Sequence, residues 1–226
     1  MATPLKPSAQ PRKAGASSSR KPTAARLRVI LQFLGAARCV TGSKFLLTLT
    51  QGTTRRQVLV DCGLFQGLKE LRLRNREPLP LVPAEVDAVV LTHAHIDHCG
   101  YLPKLVQDGF RGRIFCTEPT ADLLSIMLLD SAKLQEEEAD FANERGYSSH
   151  HPATPLYSQA DVLNVLPLVE SMGYDAPISL FDGALSLNFR EAGHILGSAI
   201  AEVTVQGPEQ RKRWCFPATW AGIIAP

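Results

Sequence analysis

The sequence predicts a layered α/β fold of ordinary domain size, and three observations support this. Three β-rich runs between residues 27 and 63 are typical of a meander of antiparallel strands. Apolar strands and amphipathic helices then alternate along the rest of the chain, which is typical of sandwiches of sheets and helices. The 226 residues, of which 45% are hydrophobic, are enough for one domain with a buried core.

The first strands are predicted from short apolar runs that end in turn residues. LRVILQFLG at 27–35 ends in glycine. KFLLTLT at 44–50 and QVLVDCG at 57–63 are separated by the turn-like QGTTRR. A loop rich in charge follows at 68–83. We therefore expect the meander to lead by a long connection into the α/β part.

The α/β part is predicted from the patterns that follow. Residues 86–109 give an apolar strand, a His-rich loop and a short helix, and residues 111–120 give the next strand and a turn. Residues 120–146 predict a long helix with Thr120 as its N-cap and Gly146 as its end. A second helix is expected over 158–174, and strands around a Gly-His loop over 178–207.

The first 27 residues form a basic tail that we expect to be disordered. Residues 1–28 hold seven Lys or Arg and no acidic residue, whereas the whole chain carries a net charge of +2. Such a segment has too few bulky apolar side chains to offset the entropy lost on ordering. An organellar transit peptide is the alternative interpretation.

The cysteine pattern argues against two kinds of small scaffold. Five cysteines are scattered without a C-x-x-C pair, so we expect neither a disulfide framework nor a thiolate zinc cluster. Free thiols favour a reducing, cytoplasmic location. No run of about 20 apolar residues is present, so we expect no membrane span.

The strongest chemical signal is T-H-A-H-I-D-H at 92–98, with three imidazoles and one carboxylate within six residues. We expect His93 and His95 to converge on one metal ion. Asp97 and His98 are expected to reach toward a second ion. Neutral imidazole and carboxylate oxygens are good zinc ligands, and unpaired polar groups packed together would be costly without a metal. A solvated His-rich turn is the alternative.

Two further motifs support the same centre. In A-G-H-I-L-G-S-A at 192–199, glycines on either side of His194 allow a tight loop that offers a third imidazole for the first metal. Asp61 ends the apolar strand of V-L-V-D-C-G-L-F-Q-G at 58–67 and is expected to hold a ligand histidine or the metal loop from behind. The alternative is that Asp61 is only an Asx-turn residue at the end of the strand.

These motifs resemble those of the metallo-β-lactamase superfamily. F-L-G-A-A-R-C-V-T-G-S at 33–43, H-I-D-H-C-G-Y-L-P at 95–103 and P-L-Y-S-Q-A-D-V at 155–162 resemble the beta-CASP RNA-processing nucleases in particular. The resemblance covers about residues 29–216 and implies an αββα sandwich. It implies two zinc ions in the intact family and an RNA substrate whose phosphodiester bonds are cleaved by a metal-activated hydroxide.

The resemblance also implies roles for individual residues. His93, His95 and His194 would hold the first zinc ion. Asp97 and His98 would help to hold the second and would be the catalytic pair. Asp97 would orient the hydroxide or accept its proton.

The end of the sequence departs from this family. Where the family has a strand that ends in a metal-bridging aspartate, the chain reads R-W-C-F-P-A-T-W-A-G-I-I-A-P. We interpret residues 217–226 as an aberrant, frameshifted tail. Residues 28–216 are then an incomplete sandwich that lacks the C-terminal half and the beta-CASP cap domain. One zinc ion or none, and weak RNA cleavage or none, are expected.

Two other functions stay open at this point. A small-molecule hydrolase of the same superfamily, such as a thioesterase or lactonase, would use the same metal ligands. A non-catalytic fragment could instead bind nucleic acid through the basic tail.

Overall fold

Two sheets and one layer of helices make up the part of the chain that the structure describes. The computed structural model describes residues 26–146, 152–207 and 211–218. The predicted disorder of residues 1–27 therefore lies outside the described residues except at 26 and 27, and most of the predicted aberrant tail, 219–226, lies outside them too. None of the helices described has the length and apolar character that crossing a bilayer requires.

The first sheet has six strands in the order β1-β2-β3-β4-β5-β6. They are β1 (Arg28–Phe33), β2 (Phe45–Gln51), β3 (Thr54–Val60), β4 (Ala88–Val90), β5 (Arg113–Thr117) and β6 (Val169–Met172). The first three strands pair antiparallel, so the structure contains the predicted meander. The last three continue the sheet in parallel from β3, with helices in the connections that lead to β5 and β6.

Helices cover one face of this sheet. They are α2 (Ile96–Cys99), α3 (Leu102–Gln107), α4 (Glu118–Arg145) and α5 (Gln159–Leu163). Helix α1 (Lys69–Leu73) has no buried residue, and 3₁₀ turns lie at Arg74–Arg76, Pro83–Glu85 and Leu166–Leu168. Leu105, Leu124 and Leu128 from this layer are fully buried in one apolar cluster with Leu59 and Val89 of the sheet.

A second, antiparallel sheet covers the other face of the first. Its order is β10-β9-β8-β7. The strands are β7 (Ile178–Leu180), β8 (Leu185–Glu191), β9 (Ala199–Gln206) and β10 (Arg211–Phe216). Leu187 and Val203 of this sheet share a second apolar cluster with Val60 and Val90 of the first. Because adjacent residues of a strand face opposite sides, Leu59 and Val60 serve different cores.

The result is a sandwich of helices, sheet and sheet. The predicted layered α/β fold is confirmed, with three of the four αββα layers present among the described residues. The two sheets pack through alternating apolar residues, as in β8, where Leu185, Leu187 and Phe189 are buried. The carboxyl ends of the parallel strands lie at one edge of the sheet, and the His-rich loop at 92–98 begins there, after β4.

The long helix is present, but its predicted first cap is wrong. Helix α4 begins at Glu118, and the side chain of Thr117 caps it by accepting a hydrogen bond from the Thr120 amide. Pro119 fits the first turn because that turn needs no amide donor there. Gly146 ends the helix in the left-handed conformation, with φ +66°, as predicted.

The second predicted helix is mostly wrong. Ser158 does cap a helix, and it forms a capping box with Asp161, but α5 ends at Leu163. Pro167 has no amide to donate to the Leu163 carbonyl, so the α-helix cannot continue through it, and a 3₁₀ turn at Leu166–Leu168 follows instead. Residues Val169–Met172 then extend and pair with β5 as strand β6.

Candidate metal centre

The His-rich loop begins directly after β4, at the edge where the parallel strands end. Strand β4 is buried on both faces. The chain leaves it at Leu91 and turns through Thr92 and His93, both fully buried, to His95, which precedes helix α2. The buried strand therefore fixes the position of His93, while His95 is half-buried.

Backbone hydrogen bonds hold this loop against the ends of β2 and β3. The Ser43 amide donates to the Asp97 carbonyl over 2.9 Å, and the Cys62 amide donates to the His98 carbonyl over 2.7 Å. Gly63 packs directly against Asp97, so close that a Cβ atom on Gly63 would overlap the Asp97 carbonyl. The position of the His-rich loop relative to β2 and β3 is therefore set by main-chain contacts.

The loop that carries His194 is closed by a buried serine. The Ser198 hydroxyl accepts hydrogen bonds from the amides of His194, at 3.0 Å, and Ile195, at 3.1 Å. The Ala199 amide donates to the Thr92 carbonyl over 2.8 Å and so joins this loop to the His-rich loop. Two segments about a hundred residues apart in sequence thus meet at one edge.

Gly197 fastens the same loop to the start of α4. Its carbonyl accepts hydrogen bonds from the hydroxyls of Thr117, at 2.6 Å, and Thr120, at 2.9 Å. The φ of Gly197 is +80°, and a Cβ atom there would lie 2.5 Å from the Thr120 amide nitrogen. Thr120, predicted as a helix cap, therefore serves the His194 loop instead.

Three histidines converge at this edge. His93 Nε2 lies 2.9 Å from His95 Nδ1, and His194 Nε2 lies 3.2 Å from the same atom. One nitrogen from each ring falls within 4.8 Å of the other two. His93 is buried, His95 is half-buried and His194 is exposed, so the cluster opens to solvent on one side.

The electrostatics of the cluster suit a metal cation. Burial, reinforced by His98, His95 and His194, lowers the pKa of His93 to about 2. Burial and His194 also lower the pKa of His95. Both rings are therefore neutral near pH 7, which is the form that binds metal. Each neutral ring has one nitrogen without a proton that can bind a metal ion, and three imidazoles form a common zinc ligand set.

Asp61 lies beneath the loop and contacts both of its ends. Its Oδ1 accepts a hydrogen bond from the Thr92 amide at 2.8 Å, and its Oδ2 lies 2.7 Å from His98 Nδ1. The residue is buried and has a φ of +57°, a left-handed conformation that aspartate tolerates better than most residues. The location agrees with a role in holding the metal loop from behind.

His98 and Asp97 form a neighbouring pair outside the three-histidine cluster. His98 Nε2 lies 3.7 Å from Asp97 Oδ2. Burial alone would lower the pKa of His98, but the charge of Asp61, the hydrogen bond to it and the charge of Asp97 together raise it. Among the residues described, the ligand atoms of this pair are not part of the group that lies within 4.8 Å.

Sequence reasoning missed three buried polar residues that build this site. They are Thr92, Ser198 and Lys44, which are each exposed by 1% or less. Thr92 and Ser198 stand beside predicted ligands inside the motifs, and this proximity was the available signal. Lys44, which donates to the Gly63 carbonyl, had no such signal, because lysine is rarely buried.

Residues 56–146 match the Beta-lactamase superfamily domain. The chain is 43% identical over 173 residues to Ribonuclease TTHA0252 of Thermus thermophilus, covering 76% of this chain and 34% of that protein. It is 34% identical over 174 residues to Transcription termination factor FttA of Methanococcus maripaludis, and this match covers 76% of this chain and 25% of that protein. It is 32% identical over 157 residues to Endoribonuclease YSH1 of Gibberella zeae, and this match covers 67% of this chain and 17% of that protein.

The chain thus spans about a third or less of the length of these curated relatives. The superfamily match includes Asp61 and the loop from His93 to His98, whereas His194 lies beyond it. The structure supplies the link, because it brings His194 to within 3.2 Å of His95.

Proposed function

The chain belongs to the beta-CASP RNA-processing group of the metallo-β-lactamase superfamily, and from this premise we propose that it is a zinc-dependent nuclease that cleaves RNA phosphodiester bonds. One observation carries the proposal. Nitrogens of His93, His95 and His194 lie within 4.8 Å of one another on an edge that is open to solvent. Three imidazole nitrogens arranged in this way can hold a metal ion.

The proposed ligands divide into two sets. His93, His95 and His194 would hold the first zinc ion, since their nitrogens converge. Asp97 and His98 offer two further ligand atoms, 3.7 Å apart, for a second ion. Bound zinc lowers the pKa of water and neutralises negative charge on a phosphoryl group.

The protein's own groups have separate tasks in this proposal. Asp97 is partly exposed, and its carboxylate can orient the attacking water and accept a proton from it. His98 is tied to Asp61 and therefore keeps a fixed ring orientation beside Asp97. Asp61 is buried and contacts Thr92 and His98, so its task is to hold the loop.

The relatives favour RNA over a small molecule as the substrate. Their names identify a ribonuclease, an endoribonuclease and transcription termination factors, at 32–43% identity for the three compared above. We propose single-stranded RNA as the probe that matches this chemistry. We also propose a cytoplasmic location, which is supported by the five free cysteines.

Zinc content tests the proposal most directly. Purified protein freed of loosely bound metal is analysed for zinc, together with His95→Ala and His98→Asn. We expect about one tightly held zinc ion in wild type, its loss in His95→Ala, and its retention in His98→Asn. The asparagine keeps an N–H donor toward Asp61, so the fold is preserved. Folded wild-type protein that binds no zinc would overturn the proposal.

Substrate class is tested with zinc-loaded protein in parallel assays. End-labelled single-stranded RNA is compared with a chromogenic β-lactam, a thioester and a lactone. The expected result is weak cleavage of RNA, abolished by chelator and by His95→Ala, and no hydrolysis of the small molecules. Hydrolysis of a small molecule without RNA cleavage would instead identify a small-molecule hydrolase of the same superfamily.

A further inference from the structure

We propose that Thr92 is a positioning residue of the metal centre, whose hydroxyl group carries the orienting effect of Asp61 to His93. In this way it decides which ring nitrogen of His93 faces His95 and His194. The inference rests on the proposed metal site, but it concerns the protein's own hydrogen bonds. It can therefore be tested in the absence of zinc and RNA.

The Thr92 hydroxyl lies between an acceptor and an imidazole. Its Oγ1 is 3.0 Å and 3.1 Å from the two carboxylate oxygens of Asp61 and 2.9 Å from His93 Nδ1. Thr92 and His93 are fully buried and Asp61 is 1% exposed. Water therefore has little access to these hydrogen bonds, and the protein must satisfy them itself.

The direction of each hydrogen bond follows from counting protons. A hydroxyl group has one proton, and an ionised carboxylate can only accept. The Thr92 proton therefore points to Asp61, and only lone pairs remain on Oγ1 for His93. His93 must then carry its own proton on Nδ1. Its Nε2 is left with a free lone pair, which faces His95 Nδ1 at 2.9 Å.

The same carboxylate orients His98 directly. His98 Nδ1 lies 2.7 Å from Asp61 Oδ2 and donates to it, so His98 also presents Nε2. That nitrogen faces Asp97 at 3.7 Å. Asp61 thus sets the ring protons of one ligand in each proposed set: His98 by contact and His93 through Thr92. His95 differs, because it presents Nδ1 to both neighbours.

Substitution of Thr92 by valine isolates the hydroxyl group. Valine keeps the β-branched shape, and the main-chain bonds of residue 92 to Asp61 and Ala199 need no side chain. Serine keeps the hydroxyl group, so Thr92→Ser should keep the His93 ring proton on Nδ1 and the zinc affinity of wild type. Thr48→Val is the matched control, since the Thr48 hydroxyl is also buried but lies on β2 and bonds to Gln57.

The test is ¹⁵N NMR of the histidine rings in zinc-free protein, with His93 assigned by its loss in His93→Gln. We expect the Nδ1–H form of His93 in wild type, Thr92→Ser and Thr48→Val, and a mixture with the Nε2–H form in Thr92→Val. Zinc affinity, measured by chelator competition, should fall about 10- to 100-fold in Thr92→Val only.

Two results would overturn the inference. One is the Nε2–H form of His93 in the wild-type protein, an observation that does not depend on the folding of any variant. The other is folded Thr92→Val with an unchanged ring proton and unchanged zinc affinity. Failure of the nuclease proposal looks different, because RNA would then stay uncleaved while the ring signals remained as expected.

Discussion

The main chain of Gly63 lies against the carbonyl group of Asp97 and leaves no room for a side chain. A Cβ atom on Gly63 would overlap that carbonyl and would lie 2.5 Å from the His98 amide nitrogen. The neighbouring Gly63 amide also donates to the Ser43 carbonyl over 3.0 Å, so the segment has little freedom to move away. The end of β3 and the metal loop are therefore fitted to each other at backbone distance.

Gly63→Ala should separate these two segments. We expect the free energy of unfolding to fall by about 3 kcal/mol, the upper end for overpacking, because the obstacle is main chain. Zinc affinity should fall as well, since Asp97 and His98 move. Chemical denaturation and chelator competition measure the two effects. Gly173→Ala is the control, because its Cβ would meet nothing within 4 Å and its φ is not positive. Equal free energies of unfolding for Gly63→Ala and Gly173→Ala would contradict the predicted overlap between a Cβ atom on Gly63 and the Asp97 carbonyl.

Asp61→Asn should weaken zinc binding without a large change in shape. Asparagine tolerates the left-handed φ of +57°, but its amide cannot accept from both the Thr92 amide and His98 Nδ1. We expect a 10- to 100-fold loss of zinc affinity and a loss of about 1–3 kcal/mol of stability.

Asp175→Asn is the matched control for this change. Asp175 also has a left-handed φ, of +54°, but it is exposed and pairs with Arg190 at the surface. Its replacement should leave zinc affinity unchanged and stability within about 0.5 kcal/mol. If Asp61→Asn behaved like this control, Asp61 would not hold the metal loop.

Lys44 gives a pH dependence that is independent of metal. It is 1% exposed, donates to the Gly63 carbonyl, and lies over the rings of Phe65 and Tyr101 at 4.7 Å and 4.9 Å. Burial, helped by the charge of Arg74, lowers its pKa to about 8. Between pH 8 and the usual value of 10.5 the unfolded chain holds a proton that the folded chain has lost. The Lys44 contribution to the free energy of unfolding therefore rises with pH in this window and is constant below it.

Lys44→Met removes that contribution. The stability difference between variant and wild type should shift by up to about 3 kcal/mol in favour of wild type between pH 8 and 10.5. Denaturation across this range measures it, and Lys104→Met, at a partly exposed lysine paired with Asp108, is the control for the loss of a lysine elsewhere in the protein. A constant difference for Lys44→Met would mean that Lys44 keeps an ordinary pKa in the folded protein.

The convergence of His93, His95 and His194 could be predicted because few side chain types bind zinc, and four of the candidate ligands stand within six residues. Thr92 and Ser198 could not be assigned a role in advance, because their partners are set by tertiary pairing. The Asp61 carboxylate that meets Thr92 is 31 residues away in sequence. The helix expected over 158–174 failed for a similar reason: pairing with β5 outweighed the helical pattern beyond Pro167.

Ser198→Ala should loosen the His194 loop alone. The buried Ser198 hydroxyl accepts from the His194 and Ile195 amides, and alanine leaves both donors without that acceptor. Hydrogen exchange of these two amides should accelerate, and zinc affinity should fall about 10-fold because His194 loses its fixed position. Ser125→Ala is the control, since that hydroxyl is exposed and bonds within α4 to the Asp122 carbonyl. Faster exchange with unchanged zinc affinity would show that His93 and His95 hold the metal without His194, and would remove His194 from the ligand set.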